Sequence, residues 1–328
     1  MLFDLPLDQL RDYHPHLVAP GDLDEFWAAT LAETRAYALD ATFRPDESSL
    51  LRTVDVFDVT YSGYGGNRIS GWLLLPRHRD RPMPCVVEYI GYGGGRGLAH
   101  EWLDWSAFGY AHLVMDTRGQ GSSWRSGVTR DVQPEGAAPH APGFLTLGLP
   151  SRDGYYYRRL YADAVRAVET ARAHPDIDGS RIVVAGGSQG GGLAIAAGTL
   201  AFDVRAVLSD VPFLSHFRHA VDLSDRAPYT ELLAWCRVHP ELADEAFASL
   251  AYFDVAILGR RATAPALFSV GLHDPVCPPS TVFAAYNNYG DGTVAKDIRI
   301  WPWSEHEGGM AWQRAQQVEW LQTVCPAD

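Results

Sequence analysis

One serine, Ser188, stands among five glycines in the run RIVVAGGSQGGGLA (181–194), and Asp274 and His306 follow it in chain order. A serine hydroxyl attacks a carbonyl well only when a base takes its proton, and that base needs a carboxylate to orient it. Serine, then acid, then histidine is the order in which this acyl-transfer set is laid out on the strand-end loops of one α/β architecture. Gly186-Gly187-Ser188-Gln189-Gly190 fits G-x-S-x-G, the strand-to-helix turn called the nucleophile elbow. With 18 serines and 31 glycines in the chain, chance supplies roughly 0.16 such pentads, so the setting must decide. Here Ile182–Ala185 reads as a buried strand and Leu193–Ala197 as the body of a helix.

The partners can be sought at later strand ends. ALFSVG (266–271) leads into Leu272-His273-Asp274-Pro275, and IRIWPW (298–303) leads into Ser304-Glu305-His306-Glu307-Gly308-Gly309. Asp274 is the candidate acid and His306 the candidate base. His273 also lies on a strand-end loop, but as the base it would precede its own acid. Glu305 and Glu307 flank His306 and are rival orienters, although adjacent side chains in an extended loop diverge. Asp210, closing RAVLSD (205–210), stands as an alternative acid from an earlier strand. A tetrahedral intermediate needs two backbone N–H donors on its oxyanion, each worth about 10²–10³ in rate. Gln189, next after the serine, should give one, and the loop EYIGYGGGRG (88–97) the other, through Tyr92.

Rival chemistries find little support. The 91–97 glycines miss G-x-G-x-x-G because Arg96 stands where the last glycine belongs, and Lys296, the only lysine, has no phosphate-binding loop before it. His306-Glu307 is not continued to H-E-x-x-H, so zinc-protease chemistry has no motif. Cys85, Cys236, Cys277 and Cys325 form no C-x-x-C pair and read as reduced, mostly buried thiols.

These residues need a scaffold, and the pattern along the chain describes one. Residues 1–50 read as a mostly helical N-terminal extension, and residues 51–76 as a β-hairpin around GYGGN. From there to residue 328, apolar strands at 85–90, 112–116, 181–186, 205–210, 266–271 and 298–303 alternate with helical segments such as 158–174 and 311–324. That alternation predicts a mainly parallel sheet with helices on both faces, and together with the nucleophile elbow an α/β-hydrolase domain over 51–328. Insertions at about 121–157 and 211–264 follow strands at the sheet's carboxyl edge, where open α/β sheets place their sites.

A net charge of −13 argues against nucleic-acid or anionic-membrane partners. The first residues, MLFDLPLDQLRDYHP, lack the basic start and apolar core of a secretory signal, and no apolar run reaches a membrane-spanning length. A cytoplasmic enzyme without membrane contact is the expectation.

Taken together the motifs resemble carbohydrate esterase family 7, the acetyl xylan esterases and cephalosporin C deacetylases. The resemblance lies in Arg118-Gly119-Gln120, the G-x-S-Q-G elbow from Gly186 to Gly190, and His306-Glu307. It extends through DLDEFWAATLAE (22–33), GYGGGRG (91–97), MDTRGQGSSW (115–124), YYYRRLYADAVRAVE (155–169) and GLHDPVCPPST (271–281). It implies Ser188 as nucleophile, Asp274 as acid, His306 as base, and the N–H groups of Tyr92 and Gln189 as oxyanion hole. It further implies Arg118 and Gln120 as residues that hold the active-site loops, and Tyr92 and Pro228 as the bounds of a small acyl pocket. No cofactor or metal is implied. Family members are commonly homo-hexamers whose sites face an inner chamber. Many members have His-Gly-Tyr where this chain has Ile90-Gly91-Tyr92, so the outer rim of the pocket is expected to differ at Ile90. The function implied is removal of acetyl groups from small acetylated sugars such as xylo-oligosaccharides, and from related esters such as cephalosporin C. A broader carboxylesterase or a serine peptidase on the same fold is the alternative.

Overall fold

The computed structural model describes residues 3–132 and 143–327; residues 133–142 of the insertion expected at 121–157 lie outside the described residues. Among the described residues nine strands form one sheet: β1 (Thr42–Pro45), β2 (Val54–Ser62), β3 (Arg68–Pro76), β4 (Met83–Tyr89), β5 (Ala111–Met115), β6 (Ile177–Gly187), β7 (Ala206–Asp210), β8 (Ala266–Gly271) and β9 (Lys296–Trp301). Their order across the sheet is β1-β2-β3-β5-β4-β6-β7-β8-β9. The pairings from β5 through β4 to β9 are all parallel, whereas β1, β2 and β3 join antiparallel at one side. This is the α/β-hydrolase architecture expected from the alternating pattern.

The parallel strands are apolar on both faces because both faces are covered. Val184 of β6 points into a core shared with α4 (Tyr156–Arg172) and α5 (Gln189–Leu200), while Val183 and Ala185 point into a second cluster with Trp105, Tyr110 and Leu321. In chain order the helices are α1 (Leu7–Arg11), α2 (Leu23–Arg35), α3 (Asp104–Ala107), α4, α5, α6 (Phe217–Leu223), α7 (Tyr229–Val238), α8 (Ala243–Leu250), α9 (Val255–Leu258), α10 (Pro279–Asn288) and α11 (Met310–Val324). Helices α6–α9 make up most of 211–264, between β7 and β8. No helix of the described residues is long and apolar enough to cross a membrane.

The lead-in differs from the sequence expectation in one respect. Besides α1 and α2 it contributes β1, which pairs Thr42 with Thr60 and Pro45 with Phe57 at the sheet's edge. Four residues, TFRP, are too few to display a two-residue period, so only the partner strand identifies them.

Strand order is what assembles the site. β4, β6, β7, β8 and β9 lie side by side and parallel, so the loops at their carboxyl ends emerge on one edge. Neighbouring strands are about 4.8 Å apart, which puts the ends of β6 and β8 within about 10 Å, a gap that side chains span.

Candidate active site

Ser188 occupies the turn between β6 and α5 with φ 57° and ψ −120°, a backbone conformation that side-chain-bearing residues avoid. The surrounding structure enforces it: the Ser188 N–H donates to the Asp210 carbonyl (2.9 Å), and the Ser188 carbonyl accepts from Gly192 (3.0 Å) and Phe213 (3.0 Å). Gly190 is required for a different reason. A Cβ there would overlap the Tyr89 carbonyl, so only glycine lets α5 start this close to the end of β4.

His306 Nε2 lies 2.9 Å from Ser188 Oγ, and His306 Nδ1 lies 2.8 Å from Asp274 Oδ2. The Asp274 side chain is wholly buried, and its other oxygen, Oδ1, accepts from the N–H groups of Val276 (2.8 Å) and Cys277 (2.9 Å). The acid is therefore fixed by backbone donors and presents one free face to the imidazole. The two loops are tied together, with the His273 N–H donating to the Ser304 carbonyl at 3.0 Å. Beyond His306, Gly309 takes a left-handed φ of 89° that turns the chain into α11.

The rivals are occupied elsewhere. The Glu307 carboxylate accepts from the Glu305 N–H at 3.1 and 3.2 Å, and Glu305 itself is exposed. Asp210 accepts from the side chains of Gln313 (2.8 Å) and Gln317 (2.7 Å) rather than from His306.

Of the two expected oxyanion donors, Gln189 follows Ser188 directly and Tyr92 lines the same cavity as Ser188. Gln189 opens α5, where the first N–H groups have no acceptor within their own helix. Tyr92 lies on the loop after β4 and is held from both its backbone and its ring. Its carbonyl accepts from Trp124 Nε1 (2.8 Å), its hydroxyl donates to Glu231 (2.7 Å), and that hydroxyl accepts from the Leu145 N–H (3.2 Å). Burial, reinforced by the Glu231 carboxylate, pushes the Tyr92 phenol well above its usual range, so it stays a hydroxyl.

Gln120 couples this loop to the elbow. Its Oε1 accepts from the Gly93 N–H (2.7 Å) and from Gln189 Nε2 (3.2 Å), while its Nε2 donates to Gln189 Oε1 (2.9 Å). Gln189 Nε2 also donates to the Ile90 carbonyl, and Tyr157 donates to Gln189 Oε1 at 2.9 Å. The paired carboxamides set the distance between the two candidate donors.

Arg118 is buried one layer further out. It grips Asp163 with Nε (2.5 Å) and Nη2 (2.7 Å) and reaches Asp131 Oδ1 at 3.2 Å. Asp131 also accepts from Arg159 (2.8 Å), and Asp163 from the Tyr64 N–H (2.8 Å). Removing one partner of such a buried network leaves unpaired charge and costs about 3–5 kcal/mol. At about 2.1 cal/mol/K per residue, Arg118→Met should lower the melting temperature by about 4–7 °C, measured by calorimetry, with Arg118→Lys falling between.

A cavity of about 540 Å³ opens over Ser188, and its lining includes Tyr92, Ala227, Pro228, Val276, His306, Gly308 and Met310. Tyr92 and Pro228 thus both border it. Ile90, expected at the rim, does not: its side chain is buried in a cluster with Leu74, Trp102 and Val114. Strand alternation turns residue 90 inward, a direction that a sequence match by itself does not convey.

Cys277 is a free, buried thiol as expected, and it lies beside the site. Candidate ligand atoms of Asp274, Cys277 and His306 lie within 4.8 Å of one another, close enough together to reach one metal ion. Burial, with the Asp274 carboxylate, raises the Cys277 thiol well above its usual range, and the acid and imidazole are already hydrogen-bonded. That arrangement is suited to proton transfer by the residues themselves.

The family model described as acetyl xylan esterase matches residues 1–324. The chain is similar to a solved acetyl xylan esterase from Paenibacillus sp. R4, at 36% identity and TM-score 0.90, covering 98% of this chain and 100% of that one. It is also similar to acetyl xylan esterase 1 from Thermoanaerobacterium sp. JW/SL YS485, at 32% identity and TM-score 0.87, covering 97% and 99%. The curated acetyl esterase Axe7A of Xylanibacter ruminicola is 28% identical over 300 residues; the match covers 89% of this chain and 64% of that protein, so the chain spans less than two thirds of that relative's length.

Proposed function

The chain belongs to the acetyl xylan esterase family, and from that premise we propose that it is a carboxylic ester hydrolase that removes acetyl groups from small acetylated sugars by a Ser188–His306–Asp274 mechanism. The reading rests above all on one observation: an unbroken run of hydrogen bonds, 2.8 and 2.9 Å long, from a buried carboxylate through an imidazole to the hydroxyl at a strained elbow.

In this reading Asp274 keeps the His306 proton on Nδ1, which leaves Nε2 with the lone pair that accepts the Ser188 proton. Ser188 Oγ attacks the acetyl carbonyl, and the N–H groups of Tyr92 and Gln189 hold the oxyanion. The imidazolium then gives its proton to the departing sugar oxygen. Water, activated by the same imidazole, cleaves the acetyl-enzyme and releases acetate. The chemistry thus runs on three side chains, two backbone N–H groups and one water molecule.

The small acyl pocket follows from Tyr92 and Pro228. The Tyr92 ring packs edge-on against Phe144 and Phe213 and is anchored by Glu231, so lengthening the acyl group means displacing a fixed aromatic wall. On p-nitrophenyl esters kcat/KM should fall at least about 100-fold from acetate to octanoate, since a closed pocket loses about 1–3 kcal/mol per misfitting methylene group. A panel adding acetylated xylo-oligosaccharides, acetylated glucose, cephalosporin C and peptide amides tests the substrate class. Equal rates on acetate and octanoate, or faster amide cleavage, would favour the carboxylesterase or peptidase reading.

A further inference from the structure

The same cavity has a second wall whose chemistry acetate does not require. Its lining also includes Glu88 at the end of β4, Asp210 at the end of β7, and Gln313, Arg314 and Gln317 from the first turns of α11, the helix that follows His306 in the chain. Gln313 Nε2 and Gln317 Nε2 donate to the two Asp210 oxygens. Arg314 donates to Gln317 Oε1 (3.0 Å) and to Glu88 Oε1 (3.3 Å), and its guanidinium lies 4.2 Å over the Trp105 ring. Glu88 Oε2 accepts from Trp105 Nε1 (2.9 Å).

We propose that this crevice binds the alcohol half of the ester, and that it is built for a neutral polyol with free hydroxyls beside the acetylated one. The inference rests on the esterase reading above, because the direction of the ester comes from it. The departing oxygen must take its proton from His306 Nε2, so the alcohol lies on the His306 side while the acetyl group lies toward Tyr92 and Pro228. The chain that follows His306 runs straight into α11, and α11 together with the ends of β4 and β7 is the wall the alcohol meets.

The chemistry of that wall selects its ligand. Ionised carboxylates only accept hydrogen bonds and a guanidinium only donates them. Glu88 and Asp210 keep part of their surface open, and each oxygen has lone-pair capacity beyond its protein partner. Sugar hydroxyls donate to such carboxylates and accept from Arg314 at once. An alkyl or aryl alcohol can do neither and would strand the charges without water.

Burial would raise Glu88, but the Arg314 charge and bonds from His112 and Trp105 outweigh it and bring the carboxyl down to about 2. Burial raises Asp210 to about 6, against the pull of Arg314 and its amide donors. Both are carboxylates at neutral pH. Ligand-free, these groups cost desolvation that apolar packing would not, a cost that a substrate contact explains.

The test is the ratio of kcat/KM on a mono-acetylated xylo-oligosaccharide to that on p-nitrophenyl acetate, in the wild type, Asp210→Asn and Arg314→Met. Arg314→Met keeps an apolar stem on Trp105, so it carries the test should Asp210→Asn not fold. The ratio should fall at least tenfold in each variant, chiefly through KM for the sugar, with Arg314→Lys restoring part of it. A site built to bond a hydroxyl discriminates by such factors. A wild-type preference for the sugar that both variants retain would overturn the crevice assignment alone. Parallel losses on both substrates with a falling melting temperature would also overturn it, since the network would then only dock α11. A wild type without preference for acetylated sugars would overturn the substrate reading and this inference together.

Discussion

Ser188→Ala is expected to lower turnover of p-nitrophenyl acetate about 10⁶-fold, the loss seen when the serine of such a triad is removed. The reasoning is local. Ser188 Oγ is the only nucleophilic atom at the elbow within hydrogen-bond reach (2.9 Å) of His306 Nε2 among the described residues. The N–H of Ser188 is bonded to the Asp210 carbonyl and its carbonyl to Gly192 and Phe213, so alanine keeps the turn and the oxyanion donors. What remains is the part of catalysis due to binding and the oxyanion hole, about 10³–10⁴ over water. The fold should be untouched, because the hydroxyl adds little to packing at a half-open position. The assay is saturating hydrolysis of p-nitrophenyl acetate with a melting curve in parallel. Residual activity above about a thousandth of the wild type, in protein free of wild-type enzyme, would move the nucleophile elsewhere.

Much of this site can be read along the chain because its parts are local. A strand, a glycine turn and a helix around Ser188 are contiguous, and Asp274 and His306 each follow an apolar run that announces a strand end. The parallel order of those strands then does the assembling, which is why residues 188, 274 and 306 can be matched before any coordinates exist. Other features depend on side-chain direction or on distant pairings, and periodicity carries neither. Ile90 lies two residues before Tyr92 in the 88–97 segment, yet its side chain is buried in the core. Cys277 looks like any buried thiol until the turn after Asp274 folds it back beside the acid.

The network of Arg118 with Asp163 and Asp131 joins positions 45 and 13 residues apart, with opposite charges that are unremarkable singly. The polar wall is the most dispersed feature. Its members come from 88, 210 and 313–317, and Asp210 in particular reads from sequence only as a rival acid. Its true neighbours, Gln313 and Gln317, lie one helical turn apart on the face of α11 that meets the sheet.

Asp274→Asn should lower kcat on p-nitrophenyl acetate by about 10⁴, the size of the corresponding change in a serine–histidine–aspartate enzyme. The direction follows from the hydrogen-bond donors around residue 274. Val276 and Cys277 both present N–H groups to the Oδ1 position, and only an oxygen satisfies them. The asparagine oxygen must therefore sit there, which puts its NH₂ where Oδ2 stands, 2.8 Å from His306 Nδ1. Two N–H groups cannot face each other, so the imidazole gives up its Nδ1 proton and carries it on Nε2 instead. In that tautomer Nε2 donates to Ser188 Oγ and has no lone pair with which to take its proton.

The geometry is preserved while the base is lost, so binding of substrate and thermal stability should change far less than kcat. Glu307 is the poorer substitute, because its carboxylate already accepts from the Glu305 N–H. A loss below about tenfold would mean that another carboxylate orients His306, and Asp210, at the end of β7 and in the same cavity lining, would be the first to test.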